Sequence, residues 1–277
     1  MANQDNNGDR KTLLVGISNP DTAAHLIHLA NVLAEYAQYN VVATHIVTAP
    51  PQVELSSMRG SREISEGRDV LMQVIEAGEQ MGVEVRGVVE VARQVDEGLI
   101  SAARNQDAEM LLVGFSERDA ETGSERSFDR IMHRVARETE SSLIIQKYRR
   151  EIEDSILVTV ATDANLEAVS LVVNALHAAT GASVSYLHGV PIGADVDSLH
   201  RELTDMLEQY DLPFVEKLTV MPADSPIDAV IEEANRHDFT IVGAEPRPSL
   251  KESILGSWAE RIGTQAESTV LVIRAKR

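Results

Sequence analysis

An internal repeat constrains the fold of this chain more than any single motif does. The repeat has three matched pairs of segments: residues 12–17 (TLLVGI) with 155–160 (SILVTV), the apolar run ending at Gly114 with the one ending at Gly243, and the run ending at Ile145 with the one ending at Val272. Three landmarks in the same order indicate a tandem duplication. With 277 residues, 43% of them hydrophobic, the chain is long enough for two separate cores. We therefore expect one domain over 11–148 and another over 154–277.

Each copy alternates short apolar runs with amphipathic segments. In the first copy, LLVGI is followed by a segment that places Leu26, Leu29 and Leu33 on one helical face. A helix is predicted over 65–81, after a loop over 56–63 that we expect to be mobile. Continuous apolar strands that alternate with helices are typical of parallel sheets covered on both faces. The pattern predicts an α/β fold: two tandem, open, parallel five-stranded sheets with helices on both faces.

Composition excludes several functional classes. A net charge of −19 repels nucleic-acid phosphates, and the absence of cysteine excludes a disulfide partner and thiolate metal sites. No apolar run is long enough to cross a bilayer, and the N-terminus is polar, so we expect a cytoplasmic protein. Five lysines against 20 arginines, on an acidic chain, favour adaptation to concentrated salt. Ordinary acidity of a cytosolic protein is the competing interpretation.

The second copy carries residues suited to bind phosphate. In open parallel sheets, ligands bind beyond the carboxyl ends of strands, where the strand order reverses. There the predicted fourth strand ends at Gly243, and Gly256 and Ser257 stand at the entrance to the next predicted helix. A helix N-terminus presents unpaired N–H groups to anions. Arg247 and Lys251, in the loop between, would add positive charge.

These residues resemble a known nucleotide-binding motif. In the pattern G-x2-G-x9-G-[ST], the sequence has Gly243, then Pro246 in place of the second glycine, then Gly256 and Ser257. Together with the repeat, the motif resembles the tandem universal stress proteins, some of which bind ATP and some of which do not. The resemblance implies ATP or another adenine nucleotide as ligand. Pro246 lacks the N–H that a glycine would offer to phosphate.

The base and sugar side of the pocket departs from that family. The family's usual aspartate after strand one is replaced by Ala161, with Thr162 and Asp163 just beyond it. Asp163 either reaches back to the nucleotide or caps the helix that begins near Leu166. His188 lies where the family contacts adenine through the backbone, at a position equivalent to His45 in the first copy. We consider a structural role for both histidines alongside ligand contact, and favour the structural role.

Trp258 and the pair Gly123 and Ser124 also have both a structural and a ligand-binding interpretation. Trp258 follows Ser257 directly, and packing is its default interpretation, although it would report on a ligand bound there. Gly123 and Ser124 of the first copy are a possible shifted phosphate pair, but a flexible surface loop is the better interpretation.

The first copy has lost most of the motif. Gly114 is present, but Glu117 occupies the second glycine position, and Asp129 and Arg130 replace the glycine-serine pair. Carboxylates at these positions repel phosphate. We predict that the first copy does not bind nucleotide.

A second resemblance concerns partners. The segments VGISNPDTAAHLIHLA and HIVTAPPQ are similar to universal-stress-like cytosolic regions of some amino-acid permeases and cation/proton antiporters, which implies a membrane transporter as partner. In this family the terminal strand pairs across a dimer axis. In a tandem chain the two terminal strands can pair internally and make a pseudo-dimer. A further homodimer is left open.

No catalytic or metal-binding pattern stands out. His25 and His28 lack a third ligand, and the sequence has no G-x-S-x-G, Walker A or G-x-G-x-x-G pattern. We therefore predict a sensor or regulatory module of the stress response without enzymatic activity or a metal. The alternative is an interaction scaffold that binds no nucleotide.

Overall fold

The computed structural model describes residues 10–18, 20–115, 125–160, 162–212, 217–244 and 256–276, with side chains for all of these except 20–22, 125–129 and 256–257. The chain divides into two compact units. One consists of Met1–Gly114 with Arg134–Ser141, and the other of Phe115–His133 with Ser142–Arg277. The second unit takes in residues 142–147, which the repeat assigns to the first copy. The boundaries 11–148 and 154–277 stay a prediction about the sequence copies.

The first unit is built around a parallel sheet. Its strands are β1 (Thr12–Gly16), β2 (Asn40–Thr48), β3 (Val85–Ala92) and β4 (Ala108–Gly114), and its helices are α1 (Pro20–Ala37), α2 (Arg62–Gln80) and α3 (Val95–Asn105). The strand order is β3-β2-β1-β4, and all pairings are parallel. A Cβ atom at Gly67 of α2 would contact His45, and one at Gly98 of α3 would contact Ile46. Because adjacent strand residues point to opposite faces, the two helices cover both faces of the sheet.

The second unit contains six described strands. These are β5 (Ser142–Lys147), β6 (Ser155–Thr159), β7 (Ser183–Pro191), β8 (Lys217–Ala223), β9 (Phe239–Gly243) and β10 (Thr269–Arg274), with helices α5 (Leu166–Thr180), α6 (Val196–Gln209), α7 (Pro226–Ala234) and α8 (Gly256–Gln265). Helix α4 (Glu125–Glu138) contributes residues to both units. The strand order is β5-β10-β9-β6-β7-β8. Strands β10, β9, β6, β7 and β8 pair in parallel, and the predicted α/β class is confirmed.

The terminal strands of the two copies pair with each other. Strand β5 runs antiparallel to β10, with Ile145 opposite Val272. The internal pairing predicted from the sequence is therefore confirmed for these strands, and β10 has a partner on each side. Edge strands are prone to pair with other chains, so this contact removes one exposed edge of β10.

The loop before α2 differs from the prediction. Residues Leu55–Met58 form a turn of 3-10 helix, and Met58 is buried with Val47, Ala49 and Ile64. The expectation of a mobile loop over 56–63 is therefore wrong, because an apolar side chain anchors it. Helix α2 also begins at Arg62 instead of residue 65, since the Ser61 hydroxyl accepts a hydrogen bond from the Ile64 amide.

No helix in the described ranges has both the length and the apolar character needed to span a membrane.

The charged segment between the sequence copies is fixed by Asp238. The carboxylate of Asp238 accepts hydrogen bonds from the backbone amides of Asp154 at 2.9 Å, Ser155 at 3.1 Å and Glu153 at 3.4 Å. Burial raises the pKa of Asp238, but the hydrogen bonds outweigh it and hold the pKa below its ordinary value. The ionised carboxylate therefore stabilises the folded second unit.

Replacing Asp238 by Ala should lower the free energy of unfolding by about 1–3 kcal/mol at pH 7, because three amides lose their acceptor. The contribution is fully present above the unfolded-state pKa, about 3.9, and is lost as the pH falls through the lower folded-state value. Urea unfolding of the Asp238→Ala and wild-type chains at pH 7 and near pH 3 measures this. The exposed Asp154→Ala variant is the control. A loss that is equal at both pH values would contradict the account.

Candidate functional site

The second unit has a cavity where its strand order reverses. Strand β6 lies between β7 and β9. The strand order therefore reverses at β6, with β7 and β8 on one side of it and β9 and β10 on the other. A cavity of about 260 Å³ lies at the carboxyl ends of these strands. Its apolar lining residues are Val160, Leu166, Val169, Leu187, Val230, Val242, Ala244 and Ile262. The position agrees with the expectation that ligands bind beyond the first and fourth strands of the copy.

Four polar side chains line the same cavity: Thr159, Thr162, Asn165 and His188. The Thr159 hydroxyl donates to the Ile241 carbonyl at 3.3 Å, which joins β6 to β9. An apolar cavity with a few polar groups is the usual form of a small-molecule site, in which the polar groups set the orientation of the ligand.

His188 is oriented by the backbone of the preceding strand. Its Nδ1 lies 2.6 Å from the Val160 carbonyl oxygen. Because a carbonyl only accepts, Nδ1 carries the proton, and in the neutral ring Nε2 is left as an acceptor. His45 makes the same contact with Ile17 at 2.9 Å in the first unit, so the predicted equivalence of the two histidines is confirmed. His188 thus has a structural hydrogen bond and also lines the cavity.

Asn165 joins three segments at the cavity, a role that none of the sequence patterns above predicts. Its Nδ2 donates to the Ala244 carbonyl at 2.6 Å, and its Oδ1 accepts from the Ala275 amide at 2.9 Å. A Cβ atom at Gly243 would lie 3.2 Å from Asn165 Nδ2. The glycine at 243 therefore gives room to Asn165. The local segment TDAN, residues 162–165, carries no signal for such a link, since the partners of Asn165 lie far away in sequence.

Asp163 does not cap helix α5. Asn165 occupies the N-cap position, and the amide of Leu166 bonds to the backbone carbonyl of Asp163 at 3.0 Å. The cap interpretation of the Asp163 side chain is wrong, because that residue lies two positions before the cap. The side chain is exposed, and Asp163 is not among the residues that line the cavity.

The start of α8 forms one wall of the cavity. The helix begins at Gly256, as the glycine-serine pair predicts, and Trp258 and Ile262 line the cavity from it. Ala161, Pro246, Arg247 and Lys251 lie outside the described residues, as does the side chain of Ser257. Of the predicted binding residues, the structure brings Thr162, His188 and Gly243 together at the cavity.

Helices α7 and α8, which both contribute to the cavity, are linked by an ion pair. Arg261 of α8 bonds to Asp228 of α7. The first unit has a related contact, in which Arg134 lies 3.1 Å from the buried Asp96 at the start of α3. Both ion pairs join residues that are distant in sequence, so they follow only from the packing of the helices.

The first unit differs at the position that corresponds to Gly243. A Cβ atom at Gly114 would lie 3.2 Å from Leu26, a buried apolar side chain, instead of near a polar one. Arg130 is exposed, and Glu117, Gly123 and Ser124 lie outside the described residues, as does the side chain of Asp129. The loss of nucleotide binding in the first copy stays a prediction.

Replacing Asn165 by Ala should lower the free energy of unfolding by about 2–4 kcal/mol, because a buried carbonyl and an amide lose their partner. Urea unfolding with the exposed Asn105→Ala variant as control measures the effect. A loss no larger than that of the control would show that the links made by Asn165 contribute little.

Comparison with solved structures gives matches over nearly the whole chain. A universal stress protein from Archaeoglobus fulgidus DSM 4304 is 14% identical, with a TM-score of 0.66 and 97% of each chain covered. The cytoplasmic domain of a prokaryotic cation chloride cotransporter is also 14% identical, with a TM-score of 0.61 and 96% of each chain covered. At such identities the likeness concerns the fold alone. A search of curated proteins finds no match.

The sequence itself assigns the family. The model of the universal stress protein family matches residues 9–147, which is half of the chain. This match covers β1 to β5 of the described structure, and the resemblance inferred from the motif and the repeat is confirmed. The protein belongs to the universal stress protein family.

Proposed function

We propose that the protein is a regulatory or sensor module that binds one adenine nucleotide in its second unit. The observation that carries this proposal is the cavity of about 260 Å³ beside the start of α8. Ligand pockets commonly measure about 300–1,000 Å³, so the cavity suits a base and part of a sugar better than a whole nucleotide. The phosphates would lie outside it, against the amides of Gly256 and Ser257.

The binding contacts follow from the residues around the cavity. Thr162 and His188 would contact the base or sugar, and Gly243 lies beside them. The α8 N-terminus supplies N–H groups and a favourable dipole for phosphate, and Arg247 would add a positive charge. Neither Asp163 nor Ala161 would supply the acid that the family usually has, so the sugar would be held less specifically than in that pattern.

The first copy would act as a structural partner. Its terminal strand pairs with β10, and its own motif has Asp129 and Arg130 where phosphate would lie. We propose a cytoplasmic binding protein of the stress response and not an enzyme, because the sequence offers recognition groups without a hydrolytic motif. The two copies within one chain would form a pseudo-dimer. Association of two chains into a homodimer is a separate question that this proposal leaves open.

A scaffold without nucleotide is the second candidate function. Pro246 and Ala161 both remove contacts of the family motif. The similar cotransporter structure is a cytoplasmic domain of a membrane transporter, which supports a transporter as the partner of such a scaffold. This function predicts that a transporter is recovered by cross-linking, while no nucleotide binds saturably.

Calorimetric titration with Mg-ATP tests the proposal. The wild-type chain should bind about one nucleotide, and Gly256→Val should weaken binding about ten- to a hundred-fold, because the added side chain blocks charge-assisted hydrogen bonds to phosphate. Gly263→Val is the control, since it lies on the same helix and a Cβ atom there would contact nothing within 4 Å.

Titrations at high and low salt guard against salt-dependent folding. If the folded wild-type chain binds no ATP at either salt concentration, the scaffold function replaces the nucleotide function. If Gly256→Val binds as tightly as Gly263→Val, nucleotide binds elsewhere and the site assignment is wrong.

A further inference from the structure

Trp258 lies partly exposed at the cavity. The side chain is the only tryptophan of the chain, and 36% of it is exposed. Ile262, one helical turn further along α8, is fully buried, and both residues line the cavity. Residues four apart lie on the same helical face, so this wall runs from a buried floor at Ile262 to an outer rim at Trp258.

The interior suits an apolar, flat group. Leu166 and Val169 of α5 and Val230 of α7 contribute apolar walls, and His188 contributes a second flat ring. A charged group or a bare sugar packed against these apolar walls, away from Thr162 and His188, would lose hydrogen bonds to water that the walls cannot replace. A planar heteroaromatic ring loses few hydrogen bonds on leaving water, and its face can contact the face of the Trp258 indole.

We propose that Trp258 is a specificity-determining residue that stacks against a planar heteroaromatic ring in the cavity. The inference rests on the proposed function, in which that ring is the base of the bound nucleotide. Trp258 then selects ligands that carry an aromatic base and discriminates against phosphorylated sugars that lack one. This role accounts for a large aromatic side chain that is only partly buried beside the proposed phosphate site.

The fluorescence of Trp258 reports directly on the proposal, because no other tryptophan contributes. Adenosine should change the emission of the wild-type chain saturably, and ribose 5-phosphate, whose phosphate would meet only the start of α8, should change it less. A saturable change with ribose 5-phosphate equal to that with adenosine would overturn the proposal, since stacking requires the base.

Variants separate stacking from packing. Trp258→Leu should bind adenosine about ten-fold more weakly by calorimetry, whereas Trp258→Phe should lose about two- to three-fold because it retains an aromatic face. Tyr36→Leu is the matched control, an exposed aromatic of the first unit whose replacement should leave binding unchanged. Wild-type affinity in a folded Trp258→Leu chain would overturn the proposal.

The outcomes distinguish this inference from the proposed function. If the wild-type chain binds Mg-ATP and Trp258→Leu binds it equally well, the role of Trp258 is wrong while nucleotide binding stands. If the wild-type chain binds neither ATP nor adenosine, both are wrong. Should Trp258→Leu fail to fold, the contrast between adenosine and ribose 5-phosphate in wild-type fluorescence decides.

Discussion

The antiparallel pairing of β5 with β10 is the contact on which the second unit depends. It joins the last strand of the first sequence copy to β10, which pairs on its other side with β9 beside the cavity. The buried Lys147 at the end of β5 donates to the Thr264 carbonyl in the last turn of α8, at 3.2 Å. A positive charge near a helix C-terminus interacts favourably with the helix dipole. The Lys147 ammonium group therefore stabilises the C-terminal end of α8, whereas Gly256 lies at its N-terminal end. The first copy thus helps to fix the helix whose N-terminus would meet phosphate.

The two copies share the same arrangement of strands and helices but differ in the side chains that pack between them. Ile46 on β2 packs against Gly98 of α3, whereas in the second unit Gly189 on β7 packs against Val230 of α7. The large and small partners have exchanged places between strand and helix, so each unit keeps a close contact between one large and one small residue. Gly189 and Val230 also line the cavity of the second unit, at the carboxyl ends of the strands, which is where ligands of open parallel sheets generally bind.

Most of the fold could be predicted because most of its strands, apart from β3 and β8, are buried on both faces. Runs such as those of β9 and β10 are mostly apolar and are bounded by polar or helix-starting residues, so type and order follow from sequence. The contribution of Met58 to a core cluster could not be predicted, since a single methionine in a polar loop has no periodic pattern. The pairing of β5 with β10 came from the family resemblance, but its antiparallel direction was not predicted, because strand periodicity does not specify direction.

The location of the candidate site could be predicted from the sequence, but the hydrogen bonds that build it could not. Gly243 and the start of α8 followed from glycine spacing, whereas Asn165 and Asp238 act through hydrogen bonds to residues distant in sequence. Asp163 was misjudged because Asn165, the residue directly before Leu166, occupies the N-cap position. Side chains that bond to remote backbone groups leave no local periodicity, and only the packed chain identifies them.

Hydrogen–deuterium exchange of the whole chain, with and without saturating Mg-ATP, tests the central claim that only the second unit binds nucleotide. The account predicts slower exchange for the amides at the end of β9 and the first turn of α8, with no change at the ends of β1 and β4. Equal protection of both units, or protection confined to the first, would contradict it.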